Sequence, residues 1–520
     1  VIIEQLQKEN LSLKQQNAEL SAKLFWFEEQ FRLNQHRLYG RSSEQTNHPG
    51  QLTIFNEAEA LDSIKPQLPE PTIEEITYKR KKRQGHREEM LKDLPVETIE
   101  YKLPESEQVC SCCGGRLHEM STETRREIEV IPAQVKVIEH VRYVYACRNC
   151  EKNEISTPIV TTPMPAPALP GSIASASAIA YILVQKFMFG LPFYRQEQQW
   201  KQLDIEISRQ TMANWVILAS TRWLWFIFER MHQILLQQKI VHADETTLQV
   251  LHEPGRPATS TSYMWLYRTG REGPPIVLFE YQTTRASKHP QRFLKGFKGY
   301  LCTDGYAGYN NLPGIINICC FVHARRKFDE ALKALPKTGK NKSCIAQQGL
   351  NFCNKIFKIE KELHDATTQE RYEERLEKSK PILDEFHEWL KKQYPIITPK
   401  SPAGQAIKYC LNLWDKLSGF LLDGRLYIEN NISERSIKPF VIGRKNFLFC
   451  NTQKGATASA LAYSIIETAK ENGLKPFEYL KYLLEKLPNS DVKDPTVLDS
   501  FLPWSKELPE FCKVTDKSLR

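Results

Sequence analysis

The chain has 520 residues, 41% of them hydrophobic and 26% charged, with a formal net charge of +9. That is a globular balance, with length for roughly three or four domains. Thirteen cysteines are too few for a disulfide scaffold of this length, and the longest apolar run, 173–184, is too short and too diluted by Ala and Ser to span a bilayer. The positive excess mildly favours a polyanionic partner over an acidic small substrate.

The chain begins at Val1 and not at Met, so the natural start is expected upstream. No signal peptide is visible, and two Cys-x-x-Cys pairs suit a reducing cytoplasm. Over 1–45 a heptad runs through Ile3, Asn10, Asn17, Leu24 and Phe31, and through Leu6, Leu13, Leu20 and Phe27. Such a seam has to be buried against another helix, which predicts a dimerising coiled coil. Asn10 and Asn17 favour a two-stranded parallel register, and the competing reading is a helix folded back on its own chain. Residues 46–98 read as a linker with several prolines and a basic run containing Lys81, Lys82 and Arg83. This run is either a solvated tether or a non-specific grip on phosphates.

Residues 99–160 contain Cys110-x-x-Cys113 and Cys147-x-x-Cys150. Four thiolates in two knuckles suit tetrahedral structural Zn²⁺, and Gly114 and Gly115 allow the tight turn. Cys112 leaves the ligand choice open, and a redox role is the competitor. The segment 165–235 reads as helical, with a helix at 193–203 and another at 209–220, the second capped by Ser208. The pair has helix-turn-helix spacing, which also occurs in any α domain, and places Arg209 as a candidate DNA contact.

From 236 to 450 strands are predicted at 240–250, 262–268, 275–282, 299–304 and 315–322, with a helix at 291–297. The order suggests a mixed sheet with helices on its faces. A charged helical insertion is expected at about 325–400, helices at 451–490, and a polar, loosely ordered tail at 491–520.

Three acids stand out. Asp244 lies in a run of β-formers, Asp304 ends the run from Gly299, and Glu434 opens a helix after Asn430-Asn431. Carboxylates on a strand, at a nearby strand end and on a later helix can converge on two divalent ions, the usual machinery for displacement at phosphorus. Alternation points Asp244 away from Glu245. Glu434 has two competitors: Asn431-x-x-Glu434 is also a capping-box pattern, and Glu429 is a rival third ligand. Arg435, Lys438, Arg444 and Lys445 surround Glu434 as candidate phosphate contacts. Cys320-x-x-His323 leads into Arg325-Arg326-Lys327; two ligands do not make a metal site, and Cys320 is plausible core.

Taken together, these residues resemble the insertion sequence 66 family of transposases over nearly the whole chain. The resemblance is carried by the heptad, Leu38-Tyr39-Gly40-Arg41-Ser42-Ser43-Glu44, the four cysteines, Gly190-Leu191-Pro192-Phe193-Tyr194-Arg195 and the stretch from Ser208 to Trp215. Cys320-Phe321-Val322-His323-Ala324-Arg325-Arg326-Lys327-Phe328 adds to it, and the most specific piece is Asn430-Asn431-x-x-Glu434-Arg435-x-x-x-Pro439 with Gly443-Arg444-Lys445-Asn446. Relatives often have Asp where this chain has Glu429. The resemblance implies an α/β multidomain protein with a ribonuclease-H-like core, whose Asp-Asp-Glu triad falls on Asp244, Asp304 and Glu434. It further implies two Mg²⁺ (or Mn²⁺) ions and structural Zn²⁺, and roles shared with the family but undefined for Cys320 and His323. The implied activity is cleavage at terminal inverted repeats and strand transfer to target DNA, in the bacterial cytoplasm, with self-association and accessory proteins of the same element. A catalytically silent DNA-binding regulator and a structure-specific nuclease are the alternatives.

Overall fold

The computed structural model describes residues 134–146, 159–335 and 344–514, together with Lys14, Leu24, Phe27, Glu28 and Phe31. Most of the heptad, the linker with Lys81, Lys82 and Arg83, and Cys110, Cys113, Cys147 and Cys150 lie outside the described residues. Residues 41–134 fall in a unit of their own, and every described strand and helix belongs to the other. The seam residues Leu24, Phe27 and Phe31 are helical and each 63% exposed on the single chain.

Two short strands, β1 (Val144–Ala146) and β2 (Ile159–Thr161), pair antiparallel on either side of the segment bearing Cys147 and Cys150. Four helices follow: α1 (Ala176–Phe187), α2 (Phe193–Lys201), α3 (Arg209–Ala219) and α4 (Trp225–Leu235). Ser175 and Ser208 cap α1 and α3 by accepting from Ala178 N and Thr211 N, each at 3.1 Å. Between α2 and α3, Asp204 turns the chain at φ 59°, a conformation Asp tolerates better than most residues.

The central sheet is built on β3 (Ile240–His252), whose first four residues are all buried, as a strand covered on both faces requires. β4 (Thr261–Thr269) and β5 (Val277–Gln282) pair antiparallel on one side of it. After α5 (Lys288–Phe293), β6 (Gly299–Thr303) and β7 (Ile315–Cys319) run parallel on the other side. The order is β5-β4-β3-β6-β7, and β8 (Cys450–Thr452) pairs in parallel with the far end of β3. β7 stops at Cys319, three residues short of the expectation. The Cys320 amide still donates to Thr303 O (2.9 Å), but the Phe321 amide turns to Ile428 O (2.9 Å) and a helix begins.

That helix, α6 (Phe321–Ala334), opens a helical layer with α7 (Ile345–Glu362), α8 (Thr368–Glu374), α9 (Lys380–Gln393), α10 (Pro402–Asn412) and α11 (Trp414–Leu417). The layer has its own hydrophobic cluster, including Phe328, Phe386, Leu390 and Ile407, set against Ile240, Cys302 and Ile318 of the sheet. The insertion thus occupies 321–428, wider than the expected 325–400. The chain then forms α12 (Asn431–Phe447), α13 (Gln453–Glu471), α14 (Pro476–Lys486) and α15 (Pro495–Phe501).

A second cluster joins α1–α4, the β3–β5 side of the sheet and α13–α15, so the segment boundary at 235 falls inside one core. The expectation of a loose tail is corrected up to Val514. Leu498, Phe501, Leu502, Leu508 and Cys512 are buried, Asp499 takes two hydrogen bonds from Arg230, and Tyr479 donates to Phe501 O. The composition is polar because few apolar anchors suffice for so short a segment. Among the described residues no helix is long and apolar enough to cross a membrane.

Candidate active site

The sheet register brings the two aspartates to one level. Ile240 pairs with Tyr300 and His242 with Cys302; Asp244 and Asp304 each lie two residues further on, where β3 and β6 part. Asp244 Oδ1 accepts the Glu245 amide at 2.8 Å. Asp304 Oδ1 accepts the Tyr306 amide at 3.0 Å across Gly305, whose φ of 93° suits glycine.

Glu434 reaches this edge because α12 is bolted to β3 at its start. Asn430, 2% exposed, lies with Oδ1 2.7 Å from His242 Nδ1, donates through Nδ2 to Ala243 O (3.2 Å), and sends its amide to Cys320 Sγ (3.2 Å). Burial, reinforced by Arg268 and Arg271 against the raising effect of Asn430, brings the His242 pKa down to about 4. The ring is therefore neutral at physiological pH and donates from Nδ1. Arg268 of β4, itself buried, gives α12 a second anchor through Ser436 Oγ and Ile432 O.

The capping box does not form. Asn430 is the N-cap with no side-chain cap bond, and the Asn431 amide group donates to Glu429. Glu434 Oε1 instead lies 3.1 Å from His323 Nε2 on the first turn of α6. That hydrogen bond holds the Glu434 carboxyl below its ordinary range, with burial opposing and the charges of His323 and Arg326 helping. Cys320 and His323 thus have separate tasks. The thiol is buried under Asn430, its pKa pushed up to about 11 chiefly by burial, while the imidazole holds Glu434.

One acid at the edge was missed. Glu245 leaves β3 on the face opposite Asp244, as alternation requires, yet its side chain is 1% exposed. It receives Arg285 Nε at 2.7 Å and the Tyr309 hydroxyl at 2.5 Å; the Arg285 guanidinium in turn lies 3.7 Å from the Tyr306 ring centroid. Only the bare Asp-Glu pair could have signalled it, since Arg285 comes from a distant loop. Burial, with the charge of Glu245 next and Asp304 and Glu434 adding, raises the Asp244 pKa to about 7. The Glu245 amide opposes this shift. The acids therefore feel one another.

Oxygen donors from three elements are the ligand chemistry of Mg²⁺ or Mn²⁺, and a divalent cation would relieve this crowding. As the side chains are turned here, toward Glu245 N, Tyr306 N and His323, no three His, Cys, Asp or Glu groups among the described residues gather to hold an ion. Of the basic candidates, Arg209, Arg435, Lys438 and Lys445 are exposed. Arg444 is partly spent on β3, donating to Thr246 Oγ1 (3.2 Å) and Thr247 Oγ1 (2.9 Å).

Residues 171–458, more than half of the chain, match the family model described as "Transposase IS66 family"; the chain belongs to that family. Residues 107–151 match "zinc-finger binding domain of transposase IS66", 464–504 match "IS66 C-terminal element", and 26–99 match "Transposase C of IS166 homeodomain". Among similar proteins are "Uncharacterized protein y4hP" and "Uncharacterized protein y4jD" of Sinorhizobium fredii (strain NBRC 101917 / NGR234). The first is 31% identical over 414 residues, 76% of this chain and 73% of its own length. The second is 31% identical over 416 residues, 77% and 78% respectively.

Proposed function

We propose that the chain is a divalent-metal-dependent DNA transposase in which Asp244, Asp304 and Glu434 are the metal-binding acids of a ribonuclease-H-like core. Support for the fold comes from the strand order, three antiparallel strands followed by two that run parallel to the first. The observation that carries the chemistry is the shared level of Asp244 and Asp304, with Glu434 delivered by the Asn430 clamp and Asp244 burdened by burial and then by its neighbours' charge. Bound there, Mg²⁺ or Mn²⁺ supplies acidification of a water and neutralisation of charge at phosphorus. The protein's own part is positional: His242 and Asn430 fix the start of α12, His323 orients Glu434, and the Glu245–Arg285–Tyr309 network stiffens the strand beside Asp244.

Exposed Arg435, Lys438 and Lys445, with Arg209 and the linker cations Lys81, Lys82 and Arg83, would neutralise DNA phosphates. Cys110, Cys113, Cys147 and Cys150 would hold one structural zinc ion, and the heptad would pair two subunits so that both element ends are processed together, in the bacterial cytoplasm. Asp244→Asn, Asp304→Asn and Glu434→Gln should each cut Mg²⁺-dependent cleavage and joining of terminal-repeat DNA by more than about 100-fold, the upper end for loss of a mere outer-shell partner. Near-normal cleavage in any of the three would remove that residue from the triad.

A further inference from the structure

The end of α12 breaks a local rule: the Leu448 amide closes the helix on Arg444 O at 2.7 Å and β8 begins two residues later. Phe447 turns inward, its ring 6.4 Å from that of Phe440 and 4.6 Å from Lys186 Nζ. The next residue, Leu448, sits at φ 63° and ψ −51°, and the Phe449 amide donates to Phe447 O at 2.7 Å. This is a γ-turn of the strained, positive-φ kind, where glycine would be relaxed. Yet the leucine is 64% exposed and Phe449 beside it 43% exposed. A strained backbone that pushes a large apolar side chain into water is a feature to explain by what it meets.

The surroundings say what that is. Leading up to the turn, Arg435, Lys438, Ile442 and Lys445 recur every three or four residues, which places them on one face of α12, and all four are exposed. That face carries three cations, and its one acid is Glu434 at the start of the helix, one turn before Lys438. None of the three forms a salt bridge among the described residues. A row of unpaired positive charge ending in an apolar tip fits a duplex, whose phosphates meet the cations and whose stacked bases can admit a wedge. A second copy of the chain would have to cover the same cations with acids.

We infer that Leu448 and Phe449 form an apolar wedge that enters between base pairs of the DNA held by Arg435, Lys438 and Lys445. The inference rests on the DNA-acting reading above and adds a place to it. Leu448 lies about four helical turns from Glu434, on the order of 20 Å, which is the length of about six stacked base pairs. The distortion should therefore fall within about six steps of the scissile phosphate.

The experiment uses the full chain and short mixed-sequence duplexes with 2-aminopurine at successive positions from one end. Binding is read by anisotropy across a salt series and unstacking by fluorescence. The intact chain should bind and brighten the probe at a limited set of positions. Leu448→Gly, which relaxes the turn, and Phe449→Ala should keep salt-dependent binding and an undiminished thermal midpoint but lose the brightening. Lys438→Ala should weaken binding and flatten its salt dependence. Brightening that persists in both tip variants overturns the wedge, as does a tip variant whose only change is a smaller assembly by sedimentation. Binding without brightening by the intact chain sinks the wedge alone; no binding at all sinks the DNA reading with it.

Discussion

Asp244 offers a test whose expected sign runs against intuition: removing its charge should make the metal-free protein more stable. Its folded pKa is about 7 against an ordinary value of 3.8. Between those values the folded chain keeps a proton that the unfolded chain has released, so this group's contribution falls as pH rises through the window and is constant above it. Three pKa units at 1.36 kcal/mol each amount to about 4 kcal/mol lost by pH 8. Asn cannot ionise, and its Oδ1 can still accept the Glu245 amide. Asp244→Asn should therefore raise the unfolding free energy by about 4 kcal/mol at pH 8 and by less than about 1 kcal/mol at pH 4. Urea titrations in EDTA at both pH values would measure it. Added Mg²⁺ should stabilise the wild type and leave the variant unmoved. A variant no more stable than wild type at pH 8, or equally stabilised at pH 4, would refute the buried, charge-crowded setting of Asp244 on which the metal assignment leans.

Three further outcomes follow from the supports of the site. Asn430→Ala strands His242 Nδ1 and Ala243 O in the interior and should cost about 2–4 kcal/mol; a urea midpoint that barely moves would mean the clamp carries no load. His242, with a folded pKa of about 4, should show ring resonances that stay neutral down to pH 5. Because the unfolded chain takes up that proton near pH 6.5, its share of stability is present above that pH and declines as pH falls toward 4. Gly424→Ala drives a Cβ into the Thr368 carbonyl, where backbone cannot yield, and should destabilise by about 3 kcal/mol, read as a lower thermal midpoint.

Much of the sheet was legible because β3, β4 and β5 carry β-branched and aromatic residues between clear turn signals, and their observed bounds fall within two residues of expectation. β7 misled because Cys320-Phe321-Val322 is apolar in either role, and a short apolar run does not reveal whether a sheet or a helix buries it. Asp244, within a run of β-formers, and Asp304, just past a strand end, were conspicuous. What brings Glu434 to them was not, because the clamp is made by Asn430, His242 and the Ala243 carbonyl, far apart in the chain and each unremarkable alone. Glu245 escaped for a similar reason: alternation gave its direction, and nothing local foretold that Arg285 and Tyr309 would enclose it. The linker, the four thiols and most of the heptad lie outside the described residues, so their part in function stays with the proposal.

The helical layer between β7 and α12 departs and returns through a single doorway, where the Phe321 amide meets Ile428 O at 2.9 Å. It shares its hydrophobic interior with Ile240, Cys302 and Ile318 of the sheet, and it touches the acidic edge through His323 on Glu434 and the Tyr409 hydroxyl, which donates to Asp304 O at 3.2 Å. Such a lobe is free to grow, shrink or be exchanged in descent, provided the doorway stays shut and His323 and Tyr409 still meet Glu434 and Asp304. The chemistry-bearing frame and the lobe can therefore diverge at different speeds, with recognition surfaces renewed on the lobe while the geometry of the acids is left undisturbed.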